Sequence, residues 1–180
     1  ELLEKNGIST HFISKGDNET SKFVKKLDMI PLEVINRRYT AGSFCKRYAC
    51  DANIPIVPSG VEFCLKNDDL GDPLINSYMA KAIGAATQED IDTITKYAFE
   101  INDFLKEFFA GIGIELIDFK LEFGKTADGT IVLADEISPD TCRYWDIKTG
   151  EHLDKDRFRR DLGDPEGAYK EVFKRLGFGE

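Results

Sequence analysis

The hydrophobic period of the chain changes once, abruptly, between Thr87 and Ile137, and this change constrains the fold more than any other feature. Ile91, Ile94, Ala98, Ile101, Leu105 and Phe108 recur at three- and four-residue steps, which predicts one buried stripe on a helix from Gln88 to Ala110. Thr87 suits the N-cap, and Glu89 and Asp90 lie in the first turn, where the helix dipole favours negative charge. Gly111 and Gly113 end the helix. The period then falls to two. In LIDFKLEF, Ile117, Phe119, Leu121 and Phe123 point one way, while Asp118, Lys120 and Glu122 point the other. Asp128-Gly129 is a strong turn pair, so Leu116–Phe123 and Thr130–Ile137 are expected to form a hairpin.

The flanking segments read as shorter elements. Thr10–Ser14, Phe23–Leu27 and Leu32–Tyr39 are strand candidates, the last with Pro31 at its entrance. Val61, Phe63 and Leu65 alternate with Glu62, Cys64 and Lys66 in a half-buried strand that runs into a Gly71-Asp72-Pro73 turn. A second helix is expected near Pro165–Leu176, with Ala168, Val172 and Leu176 on one side. The opening ELLEKNGI reads as the tail of a helix stopped at Gly7, so an upstream segment is expected.

Charge and cysteine usage narrow the function. With 33 acidic against 24 basic residues the formal net charge is -9, which opposes general adhesion to nucleic acid or anionic membrane. Cys45, Cys50, Cys64 and Cys142 contain no CxxC pair and no neighbouring histidine, a pattern of reduced cytosolic thiols rather than a zinc site. No apolar run approaches the roughly 20 residues that span a bilayer.

Four stretches carry chemistry. The hairpin brings Asp118, Lys120 and Glu122 on one strand towards Asp135 and Glu136 at the end of the other. Carboxylates from adjacent strands with a lysine between them suit Mg²⁺ bridging nucleotide phosphates; Glu122 and Asp135 are the metal candidates, Lys120 would neutralise phosphate, and Asp118 would orient Lys120. A surface ladder of ion pairs is the plain alternative. In INRRYTAGSFCKRY, an arginine strand runs into Thr40, Ala41, Gly42 and Ser43, a seat for a phosphate monoester on exposed backbone N–H groups. Lys66 and Asp72 could reach a substrate from KNDDLGDPLIN, which otherwise reads as turn formers. In DKDRFRRDLG, Asp156 could cap a helix, with Arg157, Arg159 and Arg160 following.

Taken in order, the blocks KKLDMIPLEVINRRYTAGSFCKR, FCLKNDDLGDPLIN, LIDFKLEFG, LADEISPDTCRYWD and LDKDRFRRDLG resemble the SAICAR synthetase (phosphoribosylaminoimidazole-succinocarboxamide synthase) family of purine biosynthesis over nearly the whole chain. The resemblance implies an α+β fold, kinase-like or ATP-grasp-like, with an antiparallel sheet packed by helices. It implies an ATP- and Mg²⁺-dependent ligase joining L-aspartate to carboxyaminoimidazole ribotide (CAIR), with SAICAR, ADP and phosphate as products, and a cytoplasmic homodimer. By that match Glu122 and Asp135 hold metal and nucleotide, with Lys120 and Asp118 as the catalytic pair. Leu27, Asp28 and Met29 lie beside the adenine. Arg37, Ser43, Asp140 and Arg143 hold the ribotide, and Lys66, Asp72 and Arg159 are further substrate-site positions. Trp145 is expected to anchor the loop that carries Arg143. The family begins with a glycine-rich strand pair bearing a lysine that covers the ATP phosphates, and this chain lacks it. Residues 1–30 are therefore expected to be a remnant of the ATP-binding lobe and residues 31–180 the catalytic domain. Another ATP-dependent carboxylate–amine ligase, or a truncated phosphate-binding or dimerisation module, are the alternatives.

Overall fold

The computed structural model of the chain describes residues 1–18, 21–159, 161 and 163–178; Arg160 lies outside them. Helices are α1 (Leu2–Lys5), α2 (Ser43–Tyr48), α3 (Ser77–Ala82), α4 (Gln88–Gly111), α5 (Asp156–Arg159) and α6 (Pro165–Arg175). Strands are β1 (Phe12–Lys15), β2 (Lys22–Val24), β3 (Asp28–Tyr39), β4 (Pro55–Leu65), β5 (Leu74–Ile75), β6 (Ile114–Lys125), β7 (Ile131–Ala134) and β8 (Cys142–Asp146). β1 and β2 form a two-stranded sheet, and the larger sheet runs β5-β4-β3-β6-β7 with β8 also paired to β6. The expected α+β class with antiparallel pairing is what forms. No helix among the described residues is long and apolar enough to cross a membrane. The chain divides into two compact units.

The first unit comprises Glu1–Ile35, Val61–Ile101 and Leu121–Glu136. Its core is Ile30, Leu32 and Val34 of β3, Ile91, Ile94, Ala98 and Ile101 of α4, and Leu121 and Phe123 of β6. Each large side chain so buried contributes about 1.5–3 kcal/mol. The cap of α4 is reciprocal: the Asp90 N–H donates to Thr87 Oγ1 at 3.1 Å, and the Thr87 N–H donates to Asp90 Oδ2 at 3.0 Å. Lys125 closes the arrangement with an ion pair to Asp90 at 2.8 Å. Thr87→Ala is expected to cost about 1 kcal/mol, read as a lower urea midpoint at unchanged m-value.

Strand boundaries depart from the sequence reading where pairing, rather than period, decides them. β3 begins at Asp28, so Pro31 lies inside the strand and not at its entrance. Its carbonyl accepts the Lys66 N–H at 3.0 Å, one residue past the end of β4, so the missing proline N–H falls where that pairing is already ending. β4 starts at Pro55, and its buried side chain is Cys64, with Val61, Phe63 and Leu65 only half covered. β6 and β7 pair through Glu122↔Ala134 and Gly124↔Val132. A side chain at Gly124 would place Cβ 2.8 Å from Leu27 Cβ, so this position requires glycine. β7 stops at Ala134, three residues early, because Asp135 takes the left-handed conformation at φ +60°.

The second unit comprises Asn36–Gly60, Asn102–Lys120 and Ile137–Glu180. Leu105, Phe109, Ile114, Leu116, Ile117, Phe119 and Tyr144 are buried, with Ala168 and Val172 of α6. Phe109, not Phe108, continues the α4 stripe, and its ring lies 4.6 Å from that of Tyr144. From Leu105 the inward step is four residues, and the three-residue step points half outward. β6 and β8 pair from Ile114↔Asp146 to Phe119↔Cys142, with an irregularity between Leu116 and Asp118. Asp146 accepts the N–H groups of Lys148 and Thr149 and pairs with Arg175 at 2.5 Å, tying α6 to the end of β8.

Candidate active site

In the first unit, charged side chains gather where β3 carries Glu33, β6 carries Glu122 and Lys66 follows the end of β4. Lys66 Nζ lies 3.2 Å from Glu33 and 3.6 Å from Glu122, with Asp68 at 3.9 Å. Burial alone would lower the Lys66 pKa, but the hydrogen bond to Glu33 and the charges of Glu122, Glu33 and Asp72 raise it above the ordinary lysine value. Lys66 therefore stays protonated at neutral pH. Asp72, at φ +49°, shapes the turn by accepting the Asn67 N–H at 2.8 Å. Glu122 is half-buried, and Asp135 is exposed one residue beyond its register partner Ala134. Neighbouring strands lie about 4.8 Å apart, so the two carboxylates arise from adjacent backbone positions. Oxygen donors from one or two carboxylates fit Mg²⁺ rather than a softer metal.

In the same unit a cavity of about 610 Å³ is lined by Asp28, Met29 and Ile30, the Ala85–Thr87 turn and Lys125. Asp28 and Met29 are exposed there, while Leu27 is half-buried against Gly124.

The second unit holds an alternating run of buried charges. Arg37, 2 % exposed, donates through Nη1 to Asp118 at 2.7 Å and through Nη2 to Ser43 Oγ at 3.2 Å. Arg38 turns to Glu115 and the Leu116 carbonyl instead. Arg143 donates through Nη1 to both oxygens of Asp118, at 2.9 and 2.8 Å, and through Nε to Asp156 at 2.9 Å. Against burial, which lowers it, Asp118 and Asp156 raise the Arg143 pKa and keep it charged. Four sequence-predicted residues, Arg37, Ser43, Asp118 and Arg143, thus meet at the start of α2.

The pairing of Asp118 with Lys120 expected from strand parity is corrected. Cross-strand register sets Arg143 directly opposite Asp118, and both carboxylate oxygens accept from arginines. A buried carboxylate requires that charge close by, and the opposite strand supplies it. Lys120 is half-buried, and its N–H donates to the Thr141 carbonyl at 2.8 Å. Arg143 lies in strand β8 rather than in a loop, and Trp145 on the same strand donates through Nε1 to His152 Nδ1 at 3.1 Å.

A second cavity, about 530 Å³, is lined by Asp140, Arg159, Lys155 and Tyr169 among others. Asp140 Oδ1 accepts the Tyr169 hydroxyl at 2.6 Å. Burial, then the charges of Arg159 and Arg143, lower the Lys155 pKa. Glu33, Lys155 and Tyr169 escaped the sequence reading, which offered Asp156 only as a helix cap. Glu33 carried a usable signal, an acid inside the apolar run IPLEVI; Lys155 sits in a charged stretch, and Tyr169 lies on the expected second helix with nothing in the sequence to mark it.

Among the described residues, His152, Asp154 and Asp156 are grouped closely enough to suggest a metal. Asp154 accepts the Tyr144 and Asp156 N–H groups, both at 2.7 Å, and Asp156 accepts Arg143, so these acids act as braces. Burial pushes the Asp154 carboxyl up to about 6, against those two amides. Unfolded aspartate titrates near 4, so between about 4 and 6 the folded state holds a proton that the unfolded chain has released. Stability from this group is present at low pH and is lost as pH rises through that window. The Tm advantage of wild type over Asp154→Asn is expected to shrink from pH 4 to pH 6.5; a growing advantage would contradict the assignment.

One unit holds carboxylates around a lysine, and the other an arginine pair with a serine hydroxyl; side chains of these types suit anionic small molecules. The family model for SAICAR synthetase matches residues 1–176. The phosphoribosylaminoimidazole-succinocarboxamide synthase of Clostridium botulinum is 60% identical over 176 residues, spanning 98% of this chain and 74% of that protein. A solved SAICAR synthetase in complex with ADP is 50% identical with a TM-score of 0.93, covering 97% of this chain and 74% of its own. The SAICAR synthetase from Pyrococcus horikoshii OT3 is also 50% identical, with a TM-score of 0.92 and coverage of 98% and 76%. The chain belongs to the SAICAR synthetase family.

Proposed function

We propose that this protein joins L-aspartate to the carboxylate of CAIR at the expense of ATP, giving SAICAR, ADP and phosphate. Family membership over residues 1–176 carries the reading, and the ADP complex of a 50% identical relative supports nucleotide use.

A carboxylate is a poor acyl donor because oxide is a bad leaving group. Transfer of the ATP γ-phosphoryl to that oxygen makes it a phosphate, which the aspartate amine displaces as the C–N bond forms. Such transfer is largely positioning and charge neutralisation. Glu122 and Asp135 would hold Mg²⁺, which when bound screens the charge of the nucleotide phosphates. Lys120 adds a cation on the same strand as Glu122. Backbone groups of Leu27, Asp28 and Met29 would read the adenine. Arg37, Ser43 and Arg143 would seat the ribotide phosphate, and Asp140 is assigned to the same substrate. Lys66 and Asp72 in the first unit and Arg159 in the second are assigned to ribotide or aspartate as further polar positions. Asp118 is assigned here to holding the two arginines rather than to proton transfer. A cytoplasmic homodimer completes the proposal.

The test is product identity. With L-[¹⁵N]aspartate, CAIR and ATP, the gene-encoded protein is expected to yield ¹⁵N-labelled SAICAR by mass spectrometry. A conjugate formed with another amino acid but not with aspartate would overturn the assignment.

A further inference from the structure

We infer that Asp156 is a positioning residue for the ribotide phosphate, acting through Arg143. The inference rests on reading Arg37, Ser43 and Arg143 as the phosphate seat.

Arg143 is held at two of its three nitrogens. Nη1 is taken by Asp118 and Nε by Asp156, and Nη2 donates to no described residue. Nη2 lies against Gly42, where a Cβ would come within 2.3 Å of it. Ser43, the first residue of α2, follows directly and is exposed. The one donor edge left for a ligand is therefore aimed at the exposed start of α2. Asp118 alone does not fix that aim, because an Nη1 contact leaves the guanidinium able to swing about it. The second contact at Nε removes this freedom, as a planar fork held at two edges has one orientation.

Asp156 is suited to that task. It is 3 % exposed, and its own N–H donates to Asp154, which is wholly buried and also accepts the Tyr144 N–H. Tyr144 is the residue after Arg143 on β8. The brace thus grips the arginine's side chain and its neighbouring backbone from one turn. Rigid orientation matters because a donor set held in place loses less entropy when the ligand arrives.

The test uses calorimetric binding of ribose 5-phosphate to the gene-encoded protein, which requires no ligase turnover. Asp156→Asn keeps the size and one acceptor but loses the charge; it is expected to weaken binding about tenfold, in line with the loss of an outer partner. Gly42→Ala, which displaces Nη2 without touching Asp156, is expected to weaken it similarly. In an Arg143→Met background Asp156→Asn should cause no further loss. In turnover, the KM for CAIR should rise about tenfold in Asp156→Asn, with the KM values for ATP and aspartate within twofold of wild type. Unchanged affinity in Asp156→Asn, or a further tenfold loss in the Arg143→Met background, overturns the inference while leaving the phosphate seat standing. Wild-type protein that fails to bind the sugar phosphate overturns the seat itself, and the inference with it.

Discussion

Glu122→Gln is expected to lower kcat by about 100- to 1,000-fold at saturating Mg²⁺, the scale of losing one preorganised charge contact at a phosphoryl-transfer centre. The substitution keeps the volume and the β6 pairing opposite Ala134, so the unfolding midpoint should move little. The side chain is half-buried with Lys66 at 3.6 Å, and a neutral amide there leaves the lysine paired with Glu33 at 3.2 Å. Asp135→Asn should follow the same pattern. Asp135 holds a left-handed backbone that costs a non-glycine residue about 1 kcal/mol. On the proposed metal assignment, Asp135→Gly should preserve or raise Tm while losing turnover. Near-normal rates in both carboxamide variants would remove the metal assignment.

Asp118→Ala should have the largest effect on stability, about 3–5 kcal/mol by urea unfolding. The carboxylate is 3 % exposed and neutralises two guanidinium groups, Arg37 at 2.7 Å and Arg143 at 2.8 Å. Removing it takes from the buried Arg37 and the part-buried Arg143 the carboxylate they share, while Arg143 keeps its ion pair to Asp156. The desolvation already incurred by both arginines is then less well compensated, which outweighs the loss of a few methylene contacts. An arginine removed together with it should restore part of the loss, because one unpaired charge leaves with its partner. A loss under about 1 kcal/mol in Asp118→Ala would mean that water reaches this cluster and the seat is not preorganised.

Much of this could be read from periodicity. The α4 stripe and the inward face of β6 follow from side-chain spacing alone, since Ile91, Ile94, Ala98, Ile101, Ile117, Phe119, Leu121 and Phe123 are all buried. Register could not be read this way. Asp118 meeting Arg143 and β7 ending at Ala134 depend on which residues face each other across strands, and no local pattern encodes that choice. The same limit hid the partner of Asp156, an acid that sequence offers only as a helix cap and that in three dimensions is the outer hold on Arg143. Arg37 and Arg38 show the boundary well: parity says that only one turns inward, and the structure buries Arg37 and sends Arg38 to Glu115.

The most direct measurement is the initial rate of ADP release by the gene-encoded protein, with CAIR and L-aspartate omitted singly and together. Steady release is expected only when both are present with Mg²⁺ and ATP. Release that continues at the full rate without aspartate, or without the ribotide, would contradict the ligase account.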